Sequence, residues 1–182
     1  MARETCNFLT QAQWEEKLRE ARKTMELVPL DEKSGSAVYL LEKVVVKFAP
    51  EKEGYMGKFL FERGVSVPEV YAMIRDKWSN CIVMQKIEDA LNLMNREREK
   101  LKIPGVEHSN LVAMLREEIT KVLELGILPK DSDWFGNSLF SKENGRLYLI
   151  DFGYYREGSK EELKAFERKI ATDEFIRTKP EN

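Results

Sequence analysis

The run LYLIDFG, residues 147–153, constrains the fold more than any other stretch of the chain. Its positions are aliphatic, aromatic or glycine with one exception, the carboxylate of Asp151. An apolar run of this length ending in glycine predicts a buried β-strand entering a turn. A lone buried carboxylate is costly unless it is paired or bound to a cation. Asp151 is therefore either held in a salt bridge or strand-end cap, or it ligates a metal.

The chain has 182 residues, which fits one domain or two small lobes around a cleft, with enough length for a core. Charged residues make up 34% and the net charge is -2, with the signs interleaved, so no nucleic-acid or membrane footprint is expected. Cys6 and Cys81 are too few for a disulfide scaffold and read as free thiols of a reducing compartment. No apolar stretch approaches the roughly 18 residues of a membrane span, and no signal-peptide core is present, so a soluble, cytoplasmic protein is expected. His108 is the only histidine, which excludes a multi-histidine metal site. Its setting, VEHSN, reads as a polar loop before a helix and gives it a surface or capping role.

TQAQWEEKLREARK, residues 10–23, opens on a threonine N-cap and spaces Trp14, Leu18 and Ala21 on one helical face. VPLDEKSGSAVYLLEKVVVKFAP is dense in β-branched residues and predicts a hairpin or meander, with VVVKF a strand carrying Lys47. EKEGYMGKFLFERG reads as a helix closed by Gly64, weakened by Gly54 and Gly57. VSVPEVYAMIRD and NCIVMQKI read as strands around the turn-like DKWSN. In the second half DALNLMNREREKLKI reads as a charged helix, and SNLVAMLREEITKVLELG as a helix capped by Ser109 and Gly126. ILPKDSDWFGN is a loop, and SLF and RLYLI flank SKENG, whose Asn144-Gly145 signals a two-residue hairpin. SKEELKAFERKIATDEFIR is a last charged helix. The order predicts an α+β fold: strands first, then helices, then one hairpin carrying Asp151.

Set in that order, the residues resemble the protein-kinase-like superfamily from about residue 30 to 153. KSGSAVY looks like a reduced glycine-rich loop with Gly35 and Ser36, and VVVK looks like the strand of the nucleotide lysine, Lys47. NSLF followed by LIDFG looks like the metal-binding asparagine, Asn137, and aspartate, Asp151. Four such elements in the right order carry the resemblance, since three residues such as DFG recur by chance. It implies a two-lobed fold, with about 1–87 an N-lobe and about 88–182 a reduced C-lobe. It also implies ATP and Mg²⁺ as cofactors. Lys47 meets the α and β phosphates, and a glutamate on the next helix holds it: Glu53, with Glu51 and Glu62 as competitors. CIVMQKIED is similar to the stretch leading into the hinge, which places Met84 behind the adenine pocket and gives Gln85 to Ile87 backbone contacts to the base.

The catalytic loop departs from the family pattern. Counted forward from the helix end, GILPKD puts the base at Asp131; counted back five residues from Asn137 the position is Ser132, flanked by Asp131 and Asp133, and this backward reading favours Asp133. The forward alignment is preferred. Pro129 and Lys130 stand where the family has histidine and arginine, so control through a phosphorylated activation loop is not expected. The chain is also too short beyond Gly153 for a full C-terminal lobe. In this it is similar to truncated bacterial effector kinases and small atypical kinases, while FERGVSVPEV resembles aminoglycoside-phosphotransferase-like enzymes. The resemblance implies a minimal Ser/Thr-type protein kinase that takes a protein substrate, with an activating protein partner to hold it. Its place is the cytoplasm, or a host cell if it is a secreted effector. Three alternatives stay open, the first two being a pseudokinase-type nucleotide- or partner-binding module and a small-molecule kinase. An unrelated α+β protein, with Asp151 merely paired to a base such as Lys47, is the third.

Overall fold

The computed structural model describes residues 9–24, 26–30, 38–75, 80–93, 103, 105–129 and 134–172. The fold is α+β, and the chain divides into two compact units, one of Met1–Phe59 with Pro68–Lys86 and one of Leu60–Val67 with Ile87–Asn182. Among the described residues no helix is long and apolar enough to cross a membrane.

The first unit begins with helix α1, Gln11–Thr24. Thr10 Oγ1 accepts the Gln13 N–H (3.3 Å) and Gln13 Oε1 accepts the Thr10 N–H (2.7 Å), a reciprocal cap. Five strands follow: β1 (Val28–Pro29), β2 (Val38–Leu41), β3 (Val44–Phe48), β4 (Val70–Arg75) and β5 (Asn80–Gln85). They form an antiparallel sheet in the order β1-β2-β3-β5-β4. Strand period two sends Val44 and Val46 to one face, where they join Trp14, Leu18 and Ala21 of α1 and Ala72, Ile74, Cys81 and Val83 in one buried cluster. Val45 and Lys47 point to the other face and are half-buried. Helix α2, Glu51–Glu62, carries Glu51 and Glu53 in its first turn, where the helix dipole favours carboxylates.

The last turn of α2 belongs to the second unit. Gly64, at φ +81°, closes it by donating to the Phe61 carbonyl, in a left-handed conformation that glycine adopts without penalty. Strands β6 (Ala90–Asn92), β8 (Ser138–Ser141) and β9 (Arg146–Leu149) form an antiparallel sheet in the order β6-β8-β9. Strands β7 (Ile127–Leu128) and β10 (Arg156–Glu157) form a separate pair. Helix α3, His108–Glu124, buries Leu111, Val112, Leu115, Ile119, Val122 and Leu123 on one face. Helix α4, Lys160–Ala171, starts from a full capping box in which Ser159 and Glu162 satisfy each other's backbone N–H.

Four local expectations are corrected. Ala90–Asn92 is a strand, not the start of a helix, because it pairs with β8 and pairing overrides local propensity. Helix α3 begins at His108 with Glu107 in the cap position, so Ser109 lies inside the first turn and its hydroxyl donates to the Glu107 side chain. The hairpin turn has four residues, 142–145, because Ser141 pairs with Arg146 and Gly145 donates back to the Ser141 carbonyl. The strand of LYLIDFG stops at Leu149, so Asp151 lies beyond its end and is half-buried rather than buried.

Candidate functional site

Each unit carries its own set of candidate side chains. In the first, α2 meets side chains of the sheet at Gly54. A Cβ placed on Gly54 would stand 2.7 Å from Met73 Sδ and 3.2 Å from Ile82 Cγ1, and Ile82 is the cross-strand partner of Lys47. Any larger residue there would have to displace the Met73 side chain and press on Ile82. Glu53, its neighbour, is thereby brought onto Lys47, with Nζ and Oε1 2.5 Å apart. The pair is enclosed: 19% of the lysine side chain and 6% of the glutamate side chain are exposed. The competing carboxylates are placed otherwise, since Glu51 accepts the Tyr55 hydroxyl at 2.9 Å and Glu62 is exposed in the last turn.

Met84 and Gln85 end β5. Met84 is half-buried opposite Val45 and Val70. The Gln85 N–H donates to the Glu69 carbonyl at 2.8 Å and its side chain accepts the Glu69 N–H at 3.3 Å. The Gln85 N–H is thereby committed within the first unit. Ile87 opens the longer segment of the second unit and is buried.

In the second unit Asn137 immediately precedes β8 and Asp151 lies just past β9. The Ile150 N–H donates to the Asn137 carbonyl at 2.9 Å, extending the ladder by one step and fixing the two segments side by side. Two side chains not singled out in the sequence hold the turn before Asn137. Asn92 Nδ2 donates to the Gly136 carbonyl at 2.9 Å, and the fully buried Ser138 hydroxyl donates to the Trp134 carbonyl at 2.6 Å. Trp134 is itself buried and packs edge-to-face on Phe166 of α4. Asn92 lies in a segment whose sequence reads as helix, and a serine opening a strand, such as Ser138, carries no signal of its own. His108, exposed at the start of α3, stacks on Phe135 in the same turn, which fits the surface role expected of it.

Asp151 has φ +65°, in the left-handed region. Among side chains bearing a Cβ, Asp and Asn tolerate that region best, yet it still costs on the order of 1–2 kcal/mol. Such strain persists only where the surroundings fix it, and the Leu149 and Ile150 amides just before it are both hydrogen-bonded.

Asn137 and Asp151 offer an amide oxygen and a carboxylate, both hard donors. Among the described residues no group of three or more His, Cys, Asp or Glu could hold a metal. A pair of protein oxygens suits Mg²⁺, which keeps several waters and binds through one or two carboxylates plus substrate phosphates. By donor chemistry alone, one amide oxygen and one carboxylate are the kind of protein ligands that ion takes, not those of a dedicated protein cage. Gly35, Ser36, Asp131 and Asp133 lie outside the described residues.

No protein-family model and no curated protein sequence matches the chain. Solved structures do. A medium-resolution structure of WbdD, described as a bifunctional kinase-methyltransferase, superposes with a TM-score of 0.54 at 18% identity, over 74% of this chain and 33% of that one. A structure of monomeric WbdD gives 0.52 at 18% identity, over 79% and 37%. The chain thus spans about a third of the length of the structures it matches. At this identity the likeness is one of fold. In all, 734 solved chains match, and a fold so widely used leaves chemistry to be argued from the site.

Proposed function

We propose that the chain is an ATP- and magnesium-dependent phosphotransferase, a minimal Ser/Thr-type protein kinase that moves the γ-phosphoryl group to a hydroxyl. The observation that carries this reading is the enclosed Lys47–Glu53 pair, a strand lysine held by a helix carboxylate. Support comes from the tied Asn137 and Asp151 segments and from fold likeness to a protein whose description includes a kinase. A purely structural ion pair has no need of a second pair of hard oxygen donors on a strained, fixed turn.

In this reading Glu53 fixes the Lys47 ammonium, which binds the α and β phosphates of ATP. Asn137 and Asp151 hold the ion that, when bound, neutralises charge on the transferring phosphoryl group. Asp131 or Asp133 takes the proton of the acceptor hydroxyl as its oxygen bonds to the γ-phosphorus and the bond to the β-phosphate oxygen breaks, releasing ADP. Catalysis of this kind rests on positioning and charge more than on covalent chemistry. The acceptor is a protein hydroxyl, since the sequence has no long insertion to enclose a small molecule, and an activating protein partner supplies the substrate docking surface.

The test is a thermal-shift titration with ATP and Mg²⁺, then radiolabelled phosphate transfer to the chain itself and to generic protein substrates. Stabilisation by Mg-ATP with transfer lost in Asp151→Ala is the expected result. Stabilisation without any transfer in the wild type replaces it with the pseudokinase reading, and transfer at an unchanged rate in Asp151→Ala rejects the assignment of that residue. Asp131→Asn and Asp133→Asn separate the two candidate bases, the true one losing about 10²-fold or more in turnover.

A further inference from the structure

Glu118 is buried in the middle of α3, only 8% exposed, and the proposed chemistry makes no use of it. Burial of a carboxylate is tolerated only where donors meet it. Oε2 accepts the Ser66 N–H at 2.7 Å, and Oε1 accepts from the Lys121 ammonium at 2.7 Å. The carbonyl of the same Ser66 accepts the Leu149 N–H at 2.9 Å. Leu149 is the last residue of β9, two before Asp151.

Strand geometry makes this contact consequential. Successive N–H groups of a strand point to opposite sides. The Ile150 N–H is taken by Asn137 on the β8 side, whereas Leu149 points the other way, to the open edge of the β6-β8-β9 sheet. Ser66 closes that edge between Val65 and Val67, which are both buried. Both amides that lead into the strained Asp151 backbone are thereby tied, one of them through a charge-assisted bond two links away.

We infer that Glu118 is a positioning residue for the metal site: through Ser66 it fixes the end of β9 and so the direction of the Asp151 carboxylate. The inference rests on the phosphotransferase reading. Charge-assisted hydrogen bonds are about twice as strong as neutral ones. Glu118→Gln keeps an acceptor but loses the charge, and Glu118→Ala loses both.

The test uses the full chain with Mn²⁺ as a spectroscopic stand-in for Mg²⁺. Mn²⁺ affinity is read by electron paramagnetic resonance in the presence of a non-hydrolysable ATP analogue, and amide exchange is read residue by residue. Glu118→Gln should weaken Mn²⁺ binding and speed exchange at Ser66 and Leu149 by about fivefold each, the gap between a charged and a neutral bond. Glu118→Ala should exceed it, while metal-free nucleotide affinity stays within about twofold. Lys121→Met, which spares the Ser66 bond, should change Mn²⁺ affinity by less than about threefold. Unchanged Mn²⁺ affinity in both Glu118 variants overturns the inference, as does equal weakening of metal and metal-free nucleotide with faster exchange throughout α3. Should Glu118→Ala not fold, Glu118→Gln alone decides. A wild-type chain that binds no Mn²⁺ overturns the phosphotransferase reading and this inference together.

Discussion

Replacement of the Lys47–Glu53 pair separates its structural from its chemical role. Lys47→Met leaves a carboxylate in a site where only 6% of that side chain is exposed. Breaking a buried pair from one side costs about 3–5 kcal/mol, and the partial exposure of Lys47 puts this case at the lower end, about 3 kcal/mol. Glu53→Leu leaves an ammonium on a long stem that swings its charge toward water, which lowers its cost to about 2 kcal/mol. The double variant exchanges the ions for apolar groups and leaves no buried charge, so it should cost no more than the worse single change. The coupling is then about 2 kcal/mol, within the range found for contacting residues. Urea denaturation at 25 °C measures all four proteins, and Lys47→Met should lower the melting temperature by about 6–12 °C. Phosphate transfer should be lost in all three variants, including the double one, whose cost falls short of the sum of the singles. Strictly additive costs would refute the buried-pair argument, and activity in the double variant would refute the nucleotide role of the lysine.

Other consequences follow from single residues. Asp151→Gly relieves the left-handed backbone and should be more stable than Asp151→Ala by about 1 kcal/mol in chemical denaturation, while neither transfers phosphate. Gly54→Ala gains helix propensity of about 1 kcal/mol but forces Met73 and Ile82 apart at a cost of about 1–3 kcal/mol, so it should be neutral to destabilising, and it should loosen the Lys47–Glu53 contact as read by nucleotide affinity. The Glu162 carboxyl is pulled down to about 2, first by its side-chain bond from Arg156 and then by the Ser159 backbone. A depressed carboxylate stabilises the fold above its unfolded value, so this contribution to the start of α4 is present above about pH 4.5 and fades as pH falls toward about 2. A carboxyl titration by nuclear magnetic resonance checks it, and Arg156→Ala should move the midpoint upward.

Much of the local structure is written in the sequence. The spacing of Trp14, Leu18 and Ala21 identifies the buried face of α1, Gly64 and Gly126 mark helix ends with positive φ, and VVVKF is a strand with Lys47 off the core face. These signals are local, set by the 3.6- and 2-residue periods and by the few residues that tolerate a left-handed backbone. Where a segment's state depends on a distant partner, the sequence misleads. Ala90–Asn92 has the composition of a helix start and becomes a strand because β8 offers an edge. The Asn144-Gly145 signal promises a tight turn, but the register of Ser141 with Arg146 sets a longer one.

The order of residues settles which chemical groups the chain has to offer: one strand lysine, three nearby glutamates, and an asparagine and an aspartate each next to a predicted strand. Tertiary structure alone decided which of them meet. Glu53 wins over Glu51 and Glu62 because Gly54 lets α2 sink onto Met73 and Ile82. Asp151 takes its left-handed backbone just past a strand end whose amides Ser66 and Asn137 hold, with Glu118 holding Ser66 in turn. Periodicity is a property of neighbours along the chain, whereas these contacts depend on how closely backbones far apart in sequence can approach.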